Sequence, residues 1–104
     1  MKLFIVTSLK DYQDDVIKIF KKAEIPVFSI TDVVGVKDNQ PINLMEEWFA
    51  SGDEKFDSLM MFSFTSEENA AHGMDLIENY NQKNATGFPI RAFIVPVEKS
   101  TIKI

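Results

Sequence analysis

The sequence contains no cysteine. Disulfides, thiolate catalysis and cysteine-ligated metal sites are thereby excluded. Histidine occurs once, at His72. A metal centre generally gathers several nitrogen, sulfur or carboxylate ligands, so no metal is expected and His72 is the single metal candidate. Its place off the apolar stripe of its segment, near Asn69 and Leu76, reads as a surface or half-buried histidine. Positive charge is also short: 11 Lys and Arg stand against 16 Asp and Glu, a net charge of −5. That balance argues against a nucleic-acid polymer, whose phosphates need a basic face, while leaving room for a local pocket for one nucleotide. No run reaches the roughly 18 apolar residues that span a bilayer. The opening "MKLFIVTSLKDYQDD" is too short in its apolar part for a signal peptide, and acids follow at once. The chain reads as cytoplasmic and not inserted in a membrane. It lacks a Walker loop, a dinucleotide fingerprint and a nucleophile elbow, so a non-enzymatic role with no catalytic residues is expected.

What is present suits one domain. The chain has 104 residues, 45% of them hydrophobic, enough for a single core over residues 1–104. "KLFIVTSL" is a short apolar run of strand type. Ser8 is placed to cap a helix, with Asp11 three residues on, and Val16, Ile19, Phe20 and Ala23 recur at helical spacing one turn after Tyr12. Pro26 is expected to stop that helix. "VFSITDVV" reads as a second strand ending at Gly35, and "LMMFSF" as a third. Thr65 is the expected cap of a second helix striped by Ala70, Met74 and Ile77, with Gly73 on the same side. "NATG" ends it, "IRAFIVPV" is a fourth strand, and "STIKI" alternates like a short extra strand.

The order β-α-β-loop-β-α-β predicts an α+β, ferredoxin-like βαββαβ sandwich: a four-stranded antiparallel sheet with two helices on one face. The strands, however, are apolar on both sides. Met60, Phe62 and Phe64 alternate with Leu59 and Met61, and Leu3 and Ile5 alternate with Phe4 and Val6. A sheet with helices on one face ordinarily has a polar second face, so self-association through the sheet is expected. Between the second and third strands, about 36–57, runs a long excursion without strand pattern that holds the only tryptophan. A compact domain seldom keeps such a stretch without a use for it. Asn43 is a candidate cap for a short helix there. Leu44 and Trp48, and Met45 and Phe49, stand at i,i+4 spacing, and residue types of this kind favour interfaces. These four are the candidate partner-binding residues.

Two segments resemble a known family. "ITDVVGVKD" is similar to the stretch that leads into the long T-loop of the PII signal-transduction proteins. "RAFIVPVEK" is similar to their last core strand. The resemblance implies a cytoplasmic homotrimer with the sheets turned inward. It implies an adenine nucleotide (ATP, ADP or AMP) or another small effector bound between subunits. It also implies a loop that engages a target protein such as a membrane transporter. Carried onto this chain, the effector site comprises Gly35, Val36, Lys37, Thr86, Gly87, Arg91 and Lys103. The chain departs from the family pattern where the phosphate-cradling loop has Gly-Asp-Gly-Lys before the last strand. Here that stretch is "ATGFPIRAF": Thr86-Gly87 remains, Phe88, Pro89 and Ile90 replace the glycine pair, and Arg91 stands for the lysine. Glycines let backbone N–H groups approach phosphate, and proline removes a donor. Two other classes remain: a trimeric metal-binding or metal-response protein of CutA-like type or tied to heavy-metal efflux, and an adaptor whose loop binds a partner constitutively.

Overall fold

The computed structural model describes residues 1–36, 55–85 and 87–102. Among these are β1 (Lys2–Leu9), a 3-10 turn (Lys10–Tyr12), α1 (Gln13–Lys22), β2 (Ser29–Val36), β3 (Lys55–Thr65), α2 (Glu67–Lys83) and β4 (Arg91–Pro96). The strands form one antiparallel sheet in the order β2-β3-β1-β4. This is the expected ferredoxin-like arrangement, in which β3 and β1 are central and β2 and β4 are edges.

Cross-strand partners share a face of a sheet, so the register sorts the side chains. On the helix side, Phe4 and Val6 of β1 lie level with Ile94 and Ala92 of β4, and Met61 lies beside Val6. Phe4, Val6, Leu59 and Met61 are fully buried. They close a core with Val16, Ile19, Phe20 and Ala23 from α1 and its end, and with Ala70 and Ile77 from α2. A tilted aromatic chain, Phe4–Phe20–Phe28, joins β1 through α1 to the lead into β2, with centroids 5.5 and 4.9 Å apart. The opposite face carries Leu3 and Ile5, level with Phe64 and Phe62 on one side and Val95 and Phe93 on the other. No described element packs on it, and Phe64 and Val95 are 50% and 39% exposed.

Five boundaries differ from the sequence reading. Ser8 does not cap a helix: the β1–β3 ladder runs on to Leu9 opposite Ser58, so Ser8 is buried in the strand with its hydroxyl donating to the Leu9 carbonyl at 3.0 Å. Thr65 is likewise held in the ladder opposite Lys2, and the cap passes to Ser66, whose Oγ accepts from the Asn69 amide at 3.1 Å. Pro26 is not what stops α1. The stop is Glu24, in the left-handed region at φ 62, with Glu24 N–H donating to Lys21 and Ile25 N–H to Phe20. That pair of bonds is a Schellman motif, and Ile25 is buried, which supplies the apolar contact that goes with it. Finally, β2 starts at Ser29 rather than Val27, and residues 97–102 form no strand. There the Ser100 Oγ accepts from the Ile102 amide at 3.0 Å, a local turn that competes with extended pairing.

Candidate functional site

The expected effector residues fall at one end of the sheet. β2 outruns its neighbour: β1 ends at Leu9, level with Ser58 and Val33, so the pairs Val34–Asp57, Gly35–Phe56 and Val36–Lys55 form a two-stranded ribbon beyond the sheet. Gly35 and Val36 sit on that ribbon. Arg91 opens β4 opposite Thr7, and Thr7 is in turn level with Met60 and Thr31. Gly87 is exposed in the lead to β4, and a Cβ placed there would meet nothing within 4 Å. Its backbone is therefore open to an approaching group. Thr86, Lys37 and Lys103 lie outside the described residues, as do Leu44, Met45, Trp48 and Phe49 and the helix expected from Asn43.

Within one chain the described members of this set do not converge. β2 and β4 are opposite edges of the sheet, three strand spacings or roughly 14 Å apart. The two halves of the expected site share an end of the sheet but not an edge. They would lie side by side if the β2 edge of one chain stood beside the β4 edge of another.

The approach to Arg91 is held by a residue that the sequence reading did not single out. The Asn81 side chain donates from Nδ2 to the Ile90 carbonyl at 2.8 Å, and its Oδ1 accepts from the Ile90 amide at 2.9 Å. The amide thus plays the part of a ladder partner for a residue that precedes the strand. Ile90 is 2% exposed and belongs to the core. This clamp sets where β4 begins, and so where the Arg91 guanidinium can reach.

Other candidates fall elsewhere. Asp32 is exposed and pairs with Lys10 at 3.4 Å, both groups being solvated. His72 is exposed on α2, and no group of three metal-ligating side chains forms among the described residues. An apolar groove of about 280 Å³, lined by Val27, Phe28, Ser29, Phe62, Ser63, Phe64 and Ile102, opens at the other end of the sheet from Arg91. Ser58 and Thr7 are buried polar residues on the strand rows nearest Arg91. The Ser58 hydroxyl has no hydrogen-bond partner among the described residues. No helix among them is long and apolar enough to cross a membrane.

The fold has a counterpart among solved structures. A protein from Thermus thermophilus, described as a PII-like signalling protein, superposes with a TM-score of 0.62 over 89% of this chain and 82% of its own, at 14% sequence identity. No family model matches the sequence, and no curated protein matches it. The likeness is one of fold.

Proposed function

We propose that the chain is a PII-like regulatory protein. It works as a homotrimer, binds a small anionic effector between subunits, and passes the bound state to a target protein, such as a membrane transporter, through the loop that leaves β2. One observation carries this reading: the ribbon with Gly35 and Val36 and the β4 start with Arg91 lie at the same end of the sheet on opposite edges. A site made of both would be completed by two chains set edge to edge. The uncovered apolar face bearing Leu3, Ile5, Phe62 and Phe93 supports it, because association through that face would bury side chains that a lone chain leaves beside water. The PII-like likeness of the fold agrees.

The effector is an adenine nucleotide or another anion. Arg91 supplies a planar, permanently charged donor fork for phosphate or carboxylate. Gly87 supplies a backbone without side-chain cover. Pro89 withholds an N–H from that loop, so a guanidinium rather than a cradle of amides bears most of the contact. A ligand that binds one loop state better than another shifts the loop toward that state, which is how occupancy would reach the target.

The test has two parts. Sedimentation should give three chains per particle, and Phe62→Glu should give one. Thermal shift with ATP, ADP, AMP, bicarbonate and 2-oxoglutarate should find a stabilising ligand. At 100 times its dissociation constant that ligand adds roughly 2.7 kcal/mol, and the effect should vanish in Arg91→Ala. A monomeric wild type, or a ligand shift unchanged by Arg91→Ala, overturns the proposal.

A further inference from the structure

A groove runs between the two helices, apart from the proposed effector site. α1 and α2 run antiparallel: Tyr12 just before α1 and Asp15 early in it meet Tyr80 late in α2, and the Glu24 carbonyl just past α1 accepts from Asn69 Nδ2 early in α2 at 3.2 Å. Between the helices lie two adjoining hollows of about 200 and 150 Å³ that share Ile19, Lys22 and Tyr80. Ile19, Leu76 and Tyr80, all partly or wholly buried, form the floor. Lys18, Lys22 and Lys83, all exposed, form the rim.

The charge of this groove runs against that of the chain. The larger hollow has no carboxylate in its lining. In the smaller one, the carboxylate of Asp15 is engaged by the Tyr80 hydroxyl at 2.6 Å. Among the described residues none of the three ammonium groups has an ion-pair partner. Lys22 and Lys83 stand in the last turns of their helices, where the helix dipole favours cations. Lys18 follows Asp14 at i,i+4, a favourable spacing, and is set against Lys22 at i,i+4, a like-charge spacing that works the other way. An anionic occupant would relieve that repulsion.

We propose that this groove docks an acidic protein segment carrying an apolar anchor. Lys18 lines the smaller hollow, Lys83 the larger and Lys22 both, so the cations are distributed along the groove, which suits a chain of carboxylates better than a single small anion. The floor of Ile19, Leu76 and the Tyr80 ring offers apolar area that a free anion would leave wet. The groove lies on the helix side, away from the open sheet face, so the proposal stands or falls separately from the trimeric reading.

The probe is a synthetic peptide with Leu-Phe at its centre and three acidic residues on each side, titrated into the isotope-labelled full chain and followed by amide NMR shifts. Shifts should cluster on residues 18–22 and 76–84. Affinity should fall roughly tenfold or more in Lys18→Glu/Lys22→Glu, whose folding is checked by its unbound spectrum, and should be kept in Lys18→Arg/Lys22→Arg. A peptide with Ser-Ser at its centre should bind more weakly. Three results overturn the proposal: shifts that map elsewhere or are absent, an acidic peptide that binds equally without its apolar centre, and tripolyphosphate that binds at the same residues as tightly as the peptide.

Discussion

Asn81 binds both backbone polar groups of Ile90 with one side-chain amide, at 2.8 and 2.9 Å, though the two residues stand nine apart in the chain. Removing that amide leaves a buried N–H and a buried C=O to find other partners, at about 1–3 kcal/mol for each that fails. Asn81→Leu is therefore expected to destabilise the fold by about 2–4 kcal/mol, read by urea unfolding. Asn81→Asp keeps the acceptor and loses the donor, so it should fall between the two. Amide exchange at Ile90 should quicken in Asn81→Leu before exchange in β1 does. Unchanged protection at Ile90 would show that the clamp does not hold the start of β4.

Gly73 is buried on α2 because the Phe4 ring occupies the space beside it. A Cβ there would come within 2.8 Å of Phe4 Cε2 and 2.9 Å of Cζ. The ring is wholly buried and packed at a tilt against Phe20, so it has little room to yield. Overpacking of this kind costs about 1–3 kcal/mol, against about 1 kcal/mol gained from helix propensity. Gly73→Ala should thus be destabilising by about 1–2 kcal/mol on balance. Pairing it with Phe4→Leu should cost less than the sum of the two single changes, in a double-mutant cycle followed by chemical denaturation. Additive losses would mean that the two residues do not compete for the same space.

These two contacts mark the limit of what could be read from the sequence. The strand order and the stripes through Val16, Ile19 and Phe20 and through Ala70 and Ile77 follow from periodicity alone, as do the two apolar faces of β1 and β3. Gly73 could be placed on the packed side of its helix, but not against Phe4. The helix starts depart from the capping signals because a cap can form only where a ladder lets the strand end. Ser8 and Thr65 have capping side chains, yet pairing with Leu59 and Lys2 holds them extended. The Glu24 turn was hidden because a left-handed residue is normally signalled by glycine or asparagine. Asn81 and the lysine groove were hidden for another reason: each joins residues that are adjacent only after the chain has folded. The halves of the expected effector site were legible as segments, but their opposite-edge placement was not.

Glu24 offers a direct gain. A non-glycine residue in the left-handed region costs roughly 1 kcal/mol or more, and the two Schellman bonds here use only backbone atoms. The bond from Asn69 also ends on the Glu24 carbonyl rather than its side chain. Glu24→Gly should keep all three and raise the thermal midpoint, by an amount corresponding to a few tenths to about 1 kcal/mol after the entropic penalty of glycine in the unfolded chain. Glu24→Val, β-branched and stiff, should lower it. A drop in Glu24→Gly would mean that the carboxylate contributes something beyond conformation.

Tyr80 makes stability depend on alkaline pH. Burial, followed by the hydrogen bond and charge of Asp15 and by the neighbouring Tyr12, pushes its phenol from 10.0 up to about 12. The folded state therefore keeps the proton longer than the unfolded state does. The contribution is whole below pH 10, where both states are protonated. It declines between pH 10 and 12, as only the unfolded chain releases the proton, and is gone above. Each unit of difference corresponds to about 1.4 kcal/mol; solvent screening at this partly exposed group reduces that, so the loss across the window should be about 1 kcal/mol. Tyr80→Phe removes the hydroxyl and with it this part of the slope, while costing about 1.5–3 kcal/mol at neutral pH for the lost bond to a carboxylate. Urea midpoints measured from pH 8 to 12 for both proteins decide the matter. Parallel curves would mean that the alkaline loss arises from other groups, whereas convergence of the two toward pH 12 assigns it to the Tyr80–Asp15 bond. The same titration bears on the lysine groove, because the carboxylate that this hydroxyl holds is the one acidic group in its lining.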